Sequence, residues 1–197
     1  MQIVVCITGY PCSGKTTLAG ILGGDGFAVV ELGDLVRERM KVDPAALKFA
    51  GDIRGFSGMI REVYGRDVVA AWAVERIKKL GSAKIVVTGL RTEEELNRIK
   101  AEFPNALLIS VNAPDNVRFQ RMLSRGRRGD PRSYEDFMKR DEKEREGLLA
   151  AGEETEGLDT MIAKADYHIE NTGTISDLKK AAYKILELDK YLRAGVA

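Results

Sequence analysis

Gly9-Tyr10-Pro11-Cys12-Ser13-Gly14-Lys15-Thr16 fits the phosphate-binding pattern G-x-x-x-x-G-K-[ST], and its reading decides the fold. Upstream, Gln2-Ile3-Val4-Val5-Cys6-Ile7-Thr8 is a short apolar run of the kind that forms a buried strand. Downstream, Thr17-Leu18-Ala19-Gly20-Ile21-Leu22 reads as the start of a helix. Strand, glycine loop and helix in that order are the context the pattern requires. A polyphosphate is held by several backbone N–H groups converging on it at the positive end of a helix. Glycines let that backbone come close to the oxygens without a Cβ in the way. Lys15 is then placed to reach the β- and γ-phosphates, and the Thr16 hydroxyl to help hold Mg2+. A purely structural glycine turn is the competing reading of the same residues.

Four further strand candidates follow, at residues 27–32, 84–88, 106–111 and 167–170, each separated from the next by helical sequence. Such alternation is the signature of a parallel sheet with helices on both faces, an α/β architecture. Glu93-Glu94-Glu95-Leu96-Asn97-Arg98-Ile99-Lys100 runs from acidic to basic, in accord with a helix dipole. A helix over 115–124 follows Ala113-Pro114, and a last one begins near Ser176. Two stretches interrupt the alternation. Residues from about 34 to 80 hold helical patterns without a clear strand and predict a small helical lobe. Residues from about 125 to 157 are highly charged with few apolar anchors, a composition that suits a mobile arm or lid.

A chain of 197 residues with 44% hydrophobic residues makes one domain, 1–197, with a single core. The formal net charge of +1 gives the molecule as a whole no mark of a nucleic-acid or membrane binder. Two cysteines make no disulfide framework, no apolar run approaches the length of a membrane span, and no signal peptide precedes the first strand. A soluble, cytoplasmic protein is expected.

The second ligand must be argued from charged residues at the carboxyl ends of the strands, where open α/β sheets hold their ligands. The second strand runs into Glu31-Leu32-Gly33-Asp34-Leu35-Val36-Arg37. Arg37 is read as a clamp on an acceptor phosphate and Asp34 as a base or a partner of Mg2+-bound water. An N-cap aspartate followed by a solvated arginine is an equally good reading of those residues. The third strand ends in Thr88-Gly89-Leu90-Arg91-Thr92, which places Arg91 at a helix start on the ligand side, where it favours anion contact. A basic arm carries Arg118, Arg121 and Arg125 on one helix face, then Arg127, Arg128 and Arg132 in a glycine- and proline-containing segment. Arginines brought in by closure stabilise the charge of a transferring phosphoryl group. A solvated charge cluster or an RNA-phosphate patch is the alternative. His168 reads as packed in its strand and Trp72 as core, while Cys12, beside a helix N-terminus that could raise its thiolate character, reads as an ordinary loop residue.

These motifs, together with Ala165-Asp166-Tyr167-His168-Ile169-Glu170-Asn171-Thr172-Gly173, occur in the order found in nucleoside-monophosphate-kinase-like P-loop proteins. Over nearly its whole length the chain resembles a largely archaeal branch of that family, related to adenylate kinase and dephospho-CoA kinase. The resemblance implies a P-loop NTPase fold of three layers, with a five-stranded parallel sheet in the order 2-3-1-4-5. It also implies a helical acceptor-binding lobe and an arginine lid. ATP with Mg2+ is the implied cofactor pair, and the implied partner is a small phosphorylated or nucleotide-like acceptor. Residues Gly9 to Thr17 match the donor-phosphate loop, Thr16 and Asp34 the metal site, and Asn171, Thr172 and Gly173 the segment flanking the donor adenine. Arg37 and Arg91 match acceptor-phosphate arginines, and Arg121, Arg125 and Arg128 the lid. In one position the sequence departs: relatives place an aspartate for Mg2+-bound water where this chain has Thr88. A hydroxyl does not replace a carboxylate charge, so either Asp34 supplies it or transfer is slow. The implied activity is a phosphotransferase of the nucleoside-monophosphate-kinase kind, with dephospho-CoA kinase as one alternative. An ATPase switch or RNA or protein assembly factor is the other.

Overall fold

The computed structural model describes residues 2–127, 129–146 and 158–193. Five strands, β1 (Ile3–Thr8), β2 (Ala28–Glu31), β3 (Lys84–Thr88), β4 (Leu107–Asn112) and β5 (Tyr167–Glu170), form one sheet in the order β2-β3-β1-β4-β5. Every pairing is parallel, and the register sets Ile7 beside Thr88 and Thr88 beside Glu31. The helices are α1 (Lys15–Gly24), α2 (Leu32–Val42), α3 (Ile53–Tyr64), α4 (Val68–Leu80), α5 (Glu93–Glu102), α6 (Asp115–Arg125), α7 (Tyr134–Glu146), α8 (Leu158–Ala163) and α9 (Ile175–Arg193).

The apolar strand runs are long because both sheet faces are covered. Side chains alternate across a strand, so β1 sends Val4 and Cys6 into one core and Val5 and Ile7 into the other. The first core is closed by Leu35 of α2, Phe56 of α3, Val69 and Ile77 of α4, and Leu96 and Ile99 of α5. The second is closed by Leu18 and Leu22 of α1 and Leu178 and Ala182 of α9. Helix starts follow local chemistry. Thr92 caps α5 by accepting the Glu95 N–H at 3.3 Å, and Thr174 and Asp177 exchange hydrogen bonds at the start of α9.

Three expectations need correction. The second strand stops at Glu31, and Leu32 already belongs to α2. His168 is exposed rather than packed, because β5 is an edge strand; its Nδ1 is 2.7 Å from the Ser110 hydroxyl. The charged segment after α6 is not short of anchors: Phe137 of α7 is 1% exposed and packs with Phe119 and Tyr134, ring centroids 5.5 and 5.9 Å away. Residues 147–157 of the expected arm lie outside the described residues. No helix among the described residues is long and apolar enough to cross a membrane.

What locks α6 to α7 is Arg118, which is fully buried and grips Asp141 through both guanidinium nitrogens at 2.5 and 2.6 Å. Asp115 and the Ala113 carbonyl accept further bonds from it, at 2.6 and 3.1 Å. A residue read as part of a surface charge cluster is therefore an interior tie. Burial pushes the Asp141 carboxyl up, but the hydrogen bonds and charge of Arg118, joined by Arg145, bring it below the usual carboxylate range. Removing one partner of such a pair strands the other. Arg118→Ala should therefore lose about 3–5 kcal/mol of stability at pH 7 by chemical denaturation. A loss below about 1 kcal/mol would show the pair to be incidental. A depressed carboxylate stabilises the fold above its unfolded pKa and loses that effect as pH falls through the folded one. The difference between wild type and variant should therefore shrink on acidification below about pH 4.

Candidate active site

The loop from Gly9 to Lys15 leaves β1 and turns under two glycines whose positions admit no side chain. Gly9 has φ +138°, and a Cβ there would sit 2.1 Å from the Val111 carbonyl oxygen. Gly14, at φ +119°, precedes α1, and a Cβ there would meet the Asn171 carboxamide nitrogen at 2.2 Å. Helix α1 has no side-chain cap and no acidic residue in its first turn. Its leading N–H groups are thus left for an outside anion. Lys15 curls back and donates to the carbonyls of Gly9 and Tyr10 at 2.6 and 2.8 Å. Burial, reinforced by the charge of Arg91, pulls its ammonium from 10.5 down to about 8. The hydroxyls of Ser13 and Thr8 are buried without a hydrogen-bond partner.

A second layer of side chains fixes this loop. The Asn171 carboxamide donates to the Ser13 carbonyl at 2.8 Å, and Arg121 donates to the carbonyls of Ser13 and Asn171 at 3.1 and 2.9 Å. Tyr10 lies between the guanidinium groups of Arg118 and Arg145, 4.8 and 4.4 Å from its ring centre, and its hydroxyl bonds to Asp159. Tyr10 and Asn171 therefore hold the loop in shape.

The loop opens onto a cavity of about 1320 Å³. Gly9, Pro11, Cys12, Gly14, Lys15, Thr16 and Thr17 of the loop and α1 line it, as do Glu31, Gly33, Arg37, Ser57, Arg61 and Arg91. Arg121, Arg125, Arg127, Lys139, Arg140 and Lys143 approach from α6 and α7, with Asn171 and Gly173 beside α9. Several of these cations are held by carboxylates: Arg91 donates to Glu144 at 3.0 Å and Arg125 to Asp130 at 2.9 Å.

Of the residues singled out from the sequence, Arg37 lines the cavity, 3.1 Å from Asp34. Asp34 itself lies in the first turn of α2, with Glu31 in the N-cap position; its side chain is 59% exposed and outside the cavity wall. Ser13 is buried behind the wall, and Thr172 is exposed beyond it. Arg128 lies outside the described residues. Cys12 is no thiolate candidate, since burial pushes its thiol up. Sequence reading missed Glu31 and left Arg61 undecided. Arg61 is 5% exposed, ion-paired with the fully buried Glu95 at 2.5 Å, and Glu95 also accepts the Arg91 backbone N–H at 2.8 Å. Arg61 on α3 and Arg91 after β3 are therefore set by one carboxylate. The available signal was a charge at the end of an apolar strand run for Glu31, and none for a pair 34 residues apart.

The AAA domain family matches residues 5–146. A UPF0200 protein of Thermococcus kodakarensis is 32% identical over 189 residues, covering 94% of this chain and 97% of the relative. The chain belongs to the UPF0200 family. Shikimate kinase from Acinetobacter baumannii in complex with shikimate matches with a TM-score of 0.60 at 18% identity, covering 100% of this chain and 97% of that one. Dephospho-CoA kinase from Campylobacter jejuni matches at 0.53 and 15% identity, covering 95% and 97%. Likeness at these identities is one of fold, and the fold is that of P-loop kinase-like proteins, which in general use ATP and Mg2+.

The residues fit such ligands. An open helix end and a desolvated ammonium answer to phosphate oxygens, and Thr16 stands exposed at the cavity. No group of three or more His, Cys, Asp or Glu among the described residues forms a metal cage. Mg2+ carried in by phosphates needs only one or two carboxylates. A charged Lys15 without its anion is a burden on the empty protein. The displacement from 10.5 to about 8 corresponds to roughly 3 kcal/mol if fully expressed. Solvent reaches part of the side chain, which reduces this to about 1 kcal/mol. Lys15→Met should therefore raise the stability of the ligand-free protein by about 1 kcal/mol at pH 7. A depressed lysine costs stability below its folded pKa, so the gain should fade between about pH 8 and 10.5. Denaturation midpoints at pH 7 and pH 10 decide it; a variant less stable than wild type at both would refute it.

Proposed function

We propose that the protein is an ATP- and Mg2+-dependent phosphotransferase whose acceptor is a nucleotide or nucleotide-like small molecule. One observation supports this most: the phosphate loop and the cations Arg37, Arg61 and Arg91 line one and the same cavity. Its volume of about 1320 Å³ exceeds the roughly 300–1,000 Å³ of a pocket for one ligand. Two ligands meeting end to end account for the size and for cations on both sides.

In this reading the donor phosphates rest on the N–H groups at the start of α1, with Lys15 at the β,γ end. Mg2+ at Thr16 supplies neutralisation of the phosphate oxygens. The segment 34–80 is the acceptor-binding region; Arg37 from it and Arg91 after β3 hold an anionic group, and Ile53 lines the same cavity. An acceptor oxygen displaces the β,γ-bridging oxygen in line, and positive groups hold the charge that spreads over the transferring phosphoryl group. Arg121, Arg125 and Arg127 lie beside that position, and Arg128 belongs to the same arm. Such substrates place the protein in the cytoplasm.

ADP release from ATP and Mg2+ against a panel of ribo- and deoxynucleoside monophosphates and dephospho-CoA tests the reading. Acceptor-dependent ADP with a matching phosphorylated product is expected, and it should vanish in Lys15→Ala. ADP at the same rate without acceptor, lost in that variant, would overturn it in favour of an ATPase switch. Arg91→Ala should raise the acceptor KM about tenfold to hundredfold while leaving ATP affinity nearly unchanged. Loss confined to ATP affinity would remove Arg91 from the acceptor side.

A further inference from the structure

The register of the sheet brings out a carboxylate that the kinase reading leaves without a task. Thr88 ends β3 beside β1, at the strand end next to the phosphate loop, and is 3% exposed. It carries no charge. Directly beside it in the neighbouring strand stands Glu31. Glu31 is the acidic residue that the ends of β1, β2 and β3 contribute to the cavity wall, together with Lys15 and Thr16. Although it occupies the N-cap position of α2, its side chain makes no capping hydrogen bond. Its nearest ion-pair contact is a loose one, 3.7 Å from Arg37.

We infer that Glu31 supplies the carboxylate for Mg2+-bound water at this site, doing from β2 what Thr88 cannot do from β3. The inference rests on the kinase reading, in which Mg2+ arrives with the donor phosphates at Thr16. Adjacent strands lie about 4.8 Å apart, so β2 is one strand further from the loop than β3. A glutamate's extra methylene recovers about 1.5 Å of that distance, and a bridging water has to span the rest. Contact through water rather than direct ligation also suits Mg2+, which keeps much of its hydration. Asp34, the other acid of the segment, pairs with Arg37 and does not line the cavity.

The test is Mn2+ binding to the protein–ATP complex, followed by electron paramagnetic resonance, with ATP affinity in EDTA measured alongside by calorimetry. Glu31→Gln should weaken Mn2+ by about tenfold to hundredfold while metal-free ATP affinity stays within about twofold. Adding Thr88→Asp to Glu31→Gln should recover most of the Mn2+ affinity, because the charge returns one strand closer. A merely structural glutamate would not be rescued in this way. Should the double variant fail to fold, Glu31→Asp serves instead: still charged but one methylene shorter, it should weaken Mn2+ less than Glu31→Gln does, and a loss as large as that of Glu31→Gln would count against a role for the charge. Wild-type Mn2+ affinity in Glu31→Gln, loss of metal-free ATP binding in it, or the loss appearing in Asp34→Asn instead would each overturn the assignment. Failure of the kinase reading looks different: wild type would then release ADP at the same rate with and without acceptor, or bind ATP no better than Lys15→Ala, whatever the Mn2+ affinities.

Discussion

An ammonium held where its charge is disfavoured is the constraint around which this molecule is arranged. Lys15 donates to two carbonyl oxygens, and burial together with the charge of Arg91 draws its pKa down to about 8. Asn171 and Arg121 hold the loop's backbone, and Arg118, paired with Asp141, ties α6 to α7 beside it. The binding machinery is paid for by interior ties placed a layer behind it. This is the usual location of stored strain, at the site itself and compensated nearby.

The same division explains why the arginines are not equivalent. Arg118 is wholly interior and Arg121 serves the loop backbone, whereas Arg91 and Arg125 stand at the cavity with carboxylates already in hand. A guanidinium beside a carboxylate is positioned without being neutral toward a second anion. A phosphate offering a bidentate acceptor can take over one or both of its hydrogen bonds. Carboxylate partners thus keep the cations from scattering into solvent while the cavity is empty. They also set a threshold: a ligand must offer enough negative charge to displace them.

Much of this was legible in the chain. β3 and β5 fall on their expected residues, and the phosphate loop is specific because glycine, lysine and hydroxyl each answer a separate physical need. Local chemistry is what sequence reports well. Pairings across long separations are what it reports poorly. Arg118 looked like one charge in a basic run because its partner, Asp141, lies 23 residues on in another highly charged stretch. His168 read as packed because its strand is apolar, but whether a strand lies at an edge depends on the order of the whole sheet. Asp34 drew attention through its place in Gly33-Asp34, while Glu31 looked like the polar end of a strand.

Glu31 shows most clearly what topology adds. A site of this kind requires charge at a location rather than at a sequence position. In a parallel sheet, that location is reached from whichever strand end lies beside it. Parallel register places residues 57 apart, Glu31 and Thr88, side by side, so a carboxylate lost from one strand can be carried by its neighbour. Such an exchange is invisible to a motif read along one segment, where Thr88 is simply a missing acid. Across the sheet, Thr88 and Glu31 are one position with two occupants.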